Sequence, residues 1–122
     1  MRFDLGPPLA AVRAAELARL DMSAHAAREA VRPSSLAAMD AMRLDEARRV
    51  LSAERPRATP ALDAMPGDQH SETKALIVVQ AAEAQGVRLL AIEAARLTAK
   101  SRLRACNCTA AMRQIQLEIS DE

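Results

Sequence analysis

The residues from 71 to 119 read SETKALIVVQAAEAQGVRLLAIEAARLTAKSRLRACNCTAAMRQIQLEI, and helical periodicity persists through all of them. Ser71 is placed to cap a helix, and Glu72 to interact with the helix dipole. An unbroken helix of this length would span about 70 Å, whereas a compact globule of this size is roughly 35 Å across. The stretch therefore predicts either a rod or a helix that breaks, at Gly86 or near Asn107 and Thr109.

A narrow apolar seam follows this segment after Gly86. Most of its members recur three or four residues apart, a spacing typical of a coiled coil or a thin helical bundle. We expect these side chains to pack against a second copy or another partner. The predicted interface residues here are Val87, Leu90, Ala94, Leu97, Cys108, Met112 and Ile115.

Two shorter helices are predicted before this segment. The first begins after Pro7 and Pro8 and ends at about Arg32, because proline suits the first turn of a helix and Pro33 stops it. The second, capped by Ser34 or Ser35, is expected to run to about residue 55. The first helix has its own heptad-like seam, which is also predicted as interface: Leu17, Leu20, Ala24, Ala27 and Val31.

Residues 56–70 contain three prolines and one glycine and are predicted to be a linker. The chain would then comprise an N-terminal helical pair over 1–55, the linker over 56–70 and a long C-terminal helix over 71–122. Together these form either one domain or an extended helical chain. The predicted fold class is all-α.

The composition indicates a thin core. Of 122 residues, 28 are alanine and one, Phe3, is aromatic. Because burial stabilises by roughly 25 cal/mol per Å² of apolar surface, alanine contributes little. Small chains with thin cores commonly borrow buried surface from a partner, and alanine lets helices approach closely. We therefore expect a homo-oligomer, with a trimer favoured if the protein forms a fibre.

The charge balance gives no overall attraction to nucleic acid or to a membrane. The net charge is +1, from 17 basic and 16 acidic residues. No run of 18 consecutive apolar residues suggests a membrane span, and no signal peptide is evident at the N-terminus. Arg96, Lys100 and Arg104 lie four residues apart and could follow a phosphate backbone, but no aromatic residues interleave with them, so a solvated helix face is the favoured reading.

Few residues suggest catalysis or metal binding. Cys106 and Cys108 are two apart, which on a helix points their side chains away from each other, and no other cysteine or histidine lies near them in the sequence. His25 and His70 have no recognisable nucleophile spacing around them. We therefore predict no catalytic residues, no metal site and no cofactor, and we expect the protein not to be an enzyme.

Three stretches resemble a known group of proteins. The opening MRFDLGPPL, the segment SLAAMDAMRLDEARRVLS and AIEAARLTAK on the long helix are similar to small Ala-rich proteins associated with tail-fibre and tail-tip genes of alphaproteobacterial phages and prophages. The resemblance covers most of the chain in order. This chain departs from it in having Pro33, Ser34 and Ser35 where relatives often carry a Gly-x-Gly-Gln turn, and in lacking a tryptophan near Gln85.

The resemblance implies a structural component of a bacteriophage tail, made in the host cytoplasm and retained in the virion beside other tail proteins. Two alternatives remain open from the sequence. One is a tail assembly chaperone that leaves before maturation, which the same helices would serve equally well. The other is a small helical nucleic-acid-binding or regulatory protein that uses Arg96, Lys100 and Arg104.

Overall fold

The computed structural model describes residues 8–52 and 58–119, and in these ranges it contains helices, turns and irregular segments but no strand. The predicted all-α class is confirmed for this part of the chain. Five α-helices and one 3₁₀ turn follow in order: α1 (Leu9–Val31), the 3₁₀ turn (Ser34–Leu36), α2 (Ala37–Leu51), α3 (Pro60–Asp63), α4 (Ser71–Ala105) and α5 (Thr109–Gln114). Residues 1–7, which belong to the opening MRFDLGPPL, lie outside the described ranges.

The long C-terminal helix ends earlier than the periodicity predicts. α4 stops at Ala105, and α5 begins at Thr109 after an extended residue, Cys108. Gly86, the other predicted weak point, lies inside α4 without interrupting it. Asparagine competes with the helix by bonding to nearby backbone groups, which favours the break at residues 106–108.

The start of α2 also differs from the prediction. The 3₁₀ turn intervenes, and neither Ser34 nor Ser35 caps α2, whose N-cap position is Leu36. Ser34 instead donates from its backbone N and its Oγ to Glu29 Oε2, at 3.1 Å each. α2 ends at Leu51, and the expected continuation to residue 55 falls largely on residues 53–57, which are not described.

The segment predicted as a linker contains α3, a single helical turn. Pro60 occupies its first turn, where its missing N–H needs no partner. The Glu46 carboxylate on α2 accepts hydrogen bonds from the backbone N of Ala61 at 2.9 Å and of Leu62 at 3.1 Å. A side chain 15 residues upstream therefore holds this turn, which local composition could not reveal.

The chain divides into two compact units. Unit one comprises residues 1–28 and 89–122. In its described part, Arg13 Nη2 donates to the Cys106 carbonyl at 3.1 Å, and Asp21, further along α1, contacts Lys100, which lies earlier in the chain than Cys106. The two helices α1 and α4 therefore run antiparallel. The core of unit one buries Val12, Leu20, Ala99, Leu103 and Met112.

Unit two comprises residues 29–88. Its core is small and includes Ala47, Val50, Leu62 and Ala75, with Met65, Val78 and Val79 packed against them. Lys74 is buried nearby, and its Nζ donates to the Met65 carbonyl at 3.1 Å, which satisfies one of its N–H groups. Both cores are assembled mainly from alanine and medium-sized aliphatic side chains.

Candidate interaction surface

The seam predicted on the first helix lies largely inside the chain. Leu20 and Ala24 are fully buried in unit one, and Leu17 packs against the same core. Ala27 of unit one and Val31 of unit two are half-buried. These side chains therefore pack within their own chain, and little of this seam remains for a partner.

The seam predicted on the long helix is exposed instead. Leu90 is 72% exposed and Leu97 is 55% exposed, and Ala94 between them is exposed as well. We call these three residues of unit one the exposed stripe. Val87 belongs to unit two and is also exposed, at 57%.

α4 buries a different apolar set in unit one, comprising Ile92, Ala95, Ala99 and Leu103. At about 100° per residue, this set lies on the side of the helix opposite the exposed stripe. None of these four residues was among the predicted interface residues, although their spacing of three and four residues is visible in the sequence. In unit one, α4 is thus apolar on two opposite faces, and among the described residues one face is buried and the other exposed.

The remaining predicted interface residues follow the helix break. Cys108 is exposed, Met112 is fully buried in unit one, and Ile115 packs against the same core. Arg19 on α1 donates to the Ile115 carbonyl, which ties the end of this segment to α1. Met112 and Ile115 therefore stabilise unit one itself.

The predicted basic surface is mostly neutralised by acidic neighbours. Lys100 Nζ lies 3.1 Å from both carboxylate oxygens of Asp21, and Arg96 donates to Asp21 at 3.1 Å and to Glu93 at 2.6 Å. Arg104, the third residue, is exposed. Two of the three cations are thus already paired, which weakens the case for a surface that binds phosphate groups.

Within this ion-pair cluster, the pKa values of Asp21, Glu93 and Arg96 shift in the directions that pairing requires. The pKa of Asp21 is lowered, first by the hydrogen bond from Lys100 and then by that from Arg96. The hydrogen bond from Arg96 also lowers the pKa of Glu93, and the two carboxylates, Glu93 first, raise the pKa of the Arg96 guanidinium. All of these groups are charged at neutral pH.

The candidate chemical residues are dispersed. Cys106 is half-buried with its Sγ near the Arg102 carbonyl at 3.3 Å, Cys108 is exposed, and both thiols are free. His25 lies exposed on α1 in unit one, while His70 lies exposed before α4 in unit two. Across residues 8–52 and 58–119, no group of three or more His, Cys, Asp or Glu side chains is arranged to hold a metal ion.

By length and composition alone, α4 could cross a membrane. It contains an 18-residue window with a mean hydropathy of 1.5, and 11% of this window is buried. The apolar stretch is, however, interrupted by Gln80, Glu83, Gln85 and Arg88. A charged side chain at the centre of a spanning helix costs about 2.5–3.5 kcal/mol, which disfavours insertion of this helix into lipid.

No family model, curated protein or solved structure matches this chain.

Proposed function

We propose that this protein is a structural component of a bacteriophage tail, associated with the tail fibre or tail tip, and that it acts through helix–helix assembly. Its partners are further copies of itself and neighbouring tail proteins in the virion. The observation that carries the assembly step is the exposed stripe on α4. The resemblance of the opening and of residues 91–100 to phage tail-associated proteins supports the tail role.

The exposed stripe favours assembly because of how α4 is covered. A helix that is apolar on two opposite faces is expected to be buried on both. Among the described residues of unit one, the face with Ile92, Ala99 and Leu103 is buried, whereas Leu90 and Leu97 on the opposite face are exposed. Leu90, Ala94 and Leu97 follow the steps of four and three residues found at coiled-coil seams, so a helix from a second copy fits this face.

The first test is the solution mass of the purified chain by light scattering over a dilution series, with helicity followed in parallel. We expect a fixed oligomer, with a trimer favoured, that loses helicity as it dissociates. Leu97→Asp should lower the mass to that of a monomer, because it places a charge inside the interface while sparing the chain's own core. Thr98→Asp is the matched control, since it adds the same charge at an exposed position beside the stripe and should retain the mass.

The second test addresses the tail itself. Mass spectrometry of purified tail-containing particles should detect the chain at a fixed ratio to the tail proteins. A soluble monomer that is absent from particles would contradict the structural role. An oligomer found only in unassembled lysate fractions would support the assembly chaperone instead. Flotation of the wild-type chain with phospholipid vesicles would contradict the assembly role for α4 in favour of membrane association.

A further inference from the structure

Unit two contains a groove between α2 and α4 that the proposed assembly does not use. Its volume is about 370 Å³, at the lower end of the range of roughly 300–1,000 Å³ found for small-molecule sites. The walls are largely apolar and include Ala41, Leu44, Met65, Ile77, Val78 and Ala81. Such walls suit a hydrocarbon chain.

Two arginines give the groove a positive charge. Arg32 and Arg43 both line it, against a single carboxylate, Asp40. A carboxylate can accept two parallel charge-assisted hydrogen bonds from a guanidinium, which makes this pairing strong and directional. Arg32 Nε donates to Gln85 Oε1 at 3.3 Å, which holds this second guanidinium at the groove.

The size of the groove favours a small amphiphile over a partner helix. Its lining spans residues 37–44 of α2 and 77–85 of α4, about 10–12 Å along each helix at 1.5 Å per residue. A partner helix is itself about 10 Å wide and would seat only one or two side chains. At roughly 30 Å³ for a group the size of a water molecule, the volume of the groove holds about a dozen such groups. A medium-length alkyl chain, whose methylene groups are of similar size, therefore fits it.

We propose that this groove binds a medium-chain fatty carboxylate. The alkyl chain lies along the apolar walls, and the carboxylate accepts hydrogen bonds from Arg43 and Arg32. The negative charge of the carboxylate offsets the excess of arginine over Asp40 in the groove. This inference is independent of the exposed stripe, which lies in unit one.

The test is calorimetric titration of the full chain with dodecanoate below its micelle concentration. We expect saturable binding of one dodecanoate per chain, and binding of dodecyltrimethylammonium, which has the same chain and the opposite charge, at least about tenfold weaker. Arg43→Gln should weaken dodecanoate binding about tenfold, as expected for the loss of one charge-assisted hydrogen bond. Arg48→Gln, an exposed position on the same helix with the same charge change, should leave the affinity within about twofold.

If Arg43→Gln loses helicity, two further variants still test binding in the groove. Arg32→Gln should also weaken dodecanoate binding, and Ala81→Leu, which fills an exposed position of the wall, should weaken the binding of both chain-bearing probes. The absence of saturable binding, equal losses in Arg43→Gln and Arg48→Gln, or tight binding of the cationic probe would overturn the proposal. So would a change of oligomeric mass in Ala81→Leu without loss of affinity, because the groove would then be covered by a second copy.

Discussion

Asp21 is the residue that most changes how the basic cluster of α4 is understood. It accepts hydrogen bonds from Lys100 and Arg96, which are 79 and 75 residues away in the sequence. Half of the Asp21 side chain is exposed, so solvent screens these pairs and their contribution to stability is modest. Their main consequence is that a carboxylate already pairs with two of the three cations of the possible basic surface, Arg96 and Lys100.

The lowered pKa of Asp21 predicts a pH dependence of stability. Because its folded pKa lies below its ordinary value of 3.8, Asp21 stabilises the fold above that pH, and this contribution is lost as the pH falls through the lowered value. Asp21→Asn should therefore lower the thermal midpoint at pH 7 but have little effect at pH 2, as followed by circular dichroism.

The control for this prediction is Asp45→Asn. Asp45 pairs with Arg49 one helical turn away, with both side chains more than 60% exposed. Such pairs contribute about 0.3–0.5 kcal/mol, so Asp45→Asn should shift the midpoint less than Asp21→Asn does at pH 7. An effect of Asp21→Asn that is equally large at pH 2 would show that the carboxylate charge is not its cause.

Two leucines of α4 should contribute very differently to the stability of the monomer. Leu103 is fully buried, whereas Leu90 is 72% exposed. Leu103→Ala should reduce the free energy of unfolding by about 2–5 kcal/mol, because it removes apolar contacts and leaves a cavity. Leu90→Ala should cost less than about 0.5 kcal/mol when both variants are unfolded by urea at a concentration where the chain is monomeric. Equal losses would mean that Leu90 is buried within the monomer.

Among the helices, α3 shows that tertiary contacts can order a segment whose composition predicts a linker. Four residues are too few for a stable isolated helix, because nucleation is unfavourable. Here Pro60 presets the first turn, Leu62 is fully buried, and the Glu46 carboxylate satisfies N–H groups that the helix cannot satisfy itself.

We predict that Glu46→Ala destabilises this turn. The loss of an acceptor at a helix N-terminus typically costs about 1 kcal/mol. Amide exchange at Ala61 and Leu62 should accelerate about fivefold, which corresponds to that energy, and should be followed by hydrogen exchange in NMR spectra. Glu46→Gln retains a side-chain oxygen acceptor and should show a smaller effect. Unchanged exchange in Glu46→Ala would mean that burial of Leu62 alone orders α3.

Because the cores of both units are small, we expect the stability of the folded protein to depend on association between copies. The core of each unit consists of a few alanine and medium-sized apolar side chains, so the folded monomer gains little from its own core. If copies associate through the exposed stripe, the thermal midpoint should rise with protein concentration, because mass action favours the assembled state.

This prediction is checked by scanning calorimetry over a hundredfold concentration range. The wild-type midpoint should rise with concentration, whereas that of Leu97→Asp should stay constant at the wild-type low-concentration value. A wild-type midpoint that is independent of concentration would show that the Ala-rich cores suffice alone. It would also remove the main physical reason for assembly.

The sequence alone determined the helical character of the described residues and several helix limits. Alanine gives high helix propensity, Pro33 stops α1 near Val31, and the region of Asn107 interrupts the last segment, because each acts on the local backbone. The sequence did not resolve whether the long segment was one rod, since neither Gly86 nor Asn107 is as decisive as proline.

The exposure of particular surfaces depends on tertiary contacts. Two apolar faces of α4 have similar spacing, and tertiary contacts distinguish them. Ala99 and Leu103 share a buried core with Val12 and Leu20 of α1, whereas Leu90 and Leu97 stay exposed. Asp21 likewise neutralises Arg96 and Lys100 from another helix, and Glu46 orders α3 from α2. These contacts join residues far apart in the chain, so periodicity and composition, which are local properties, could not reveal them.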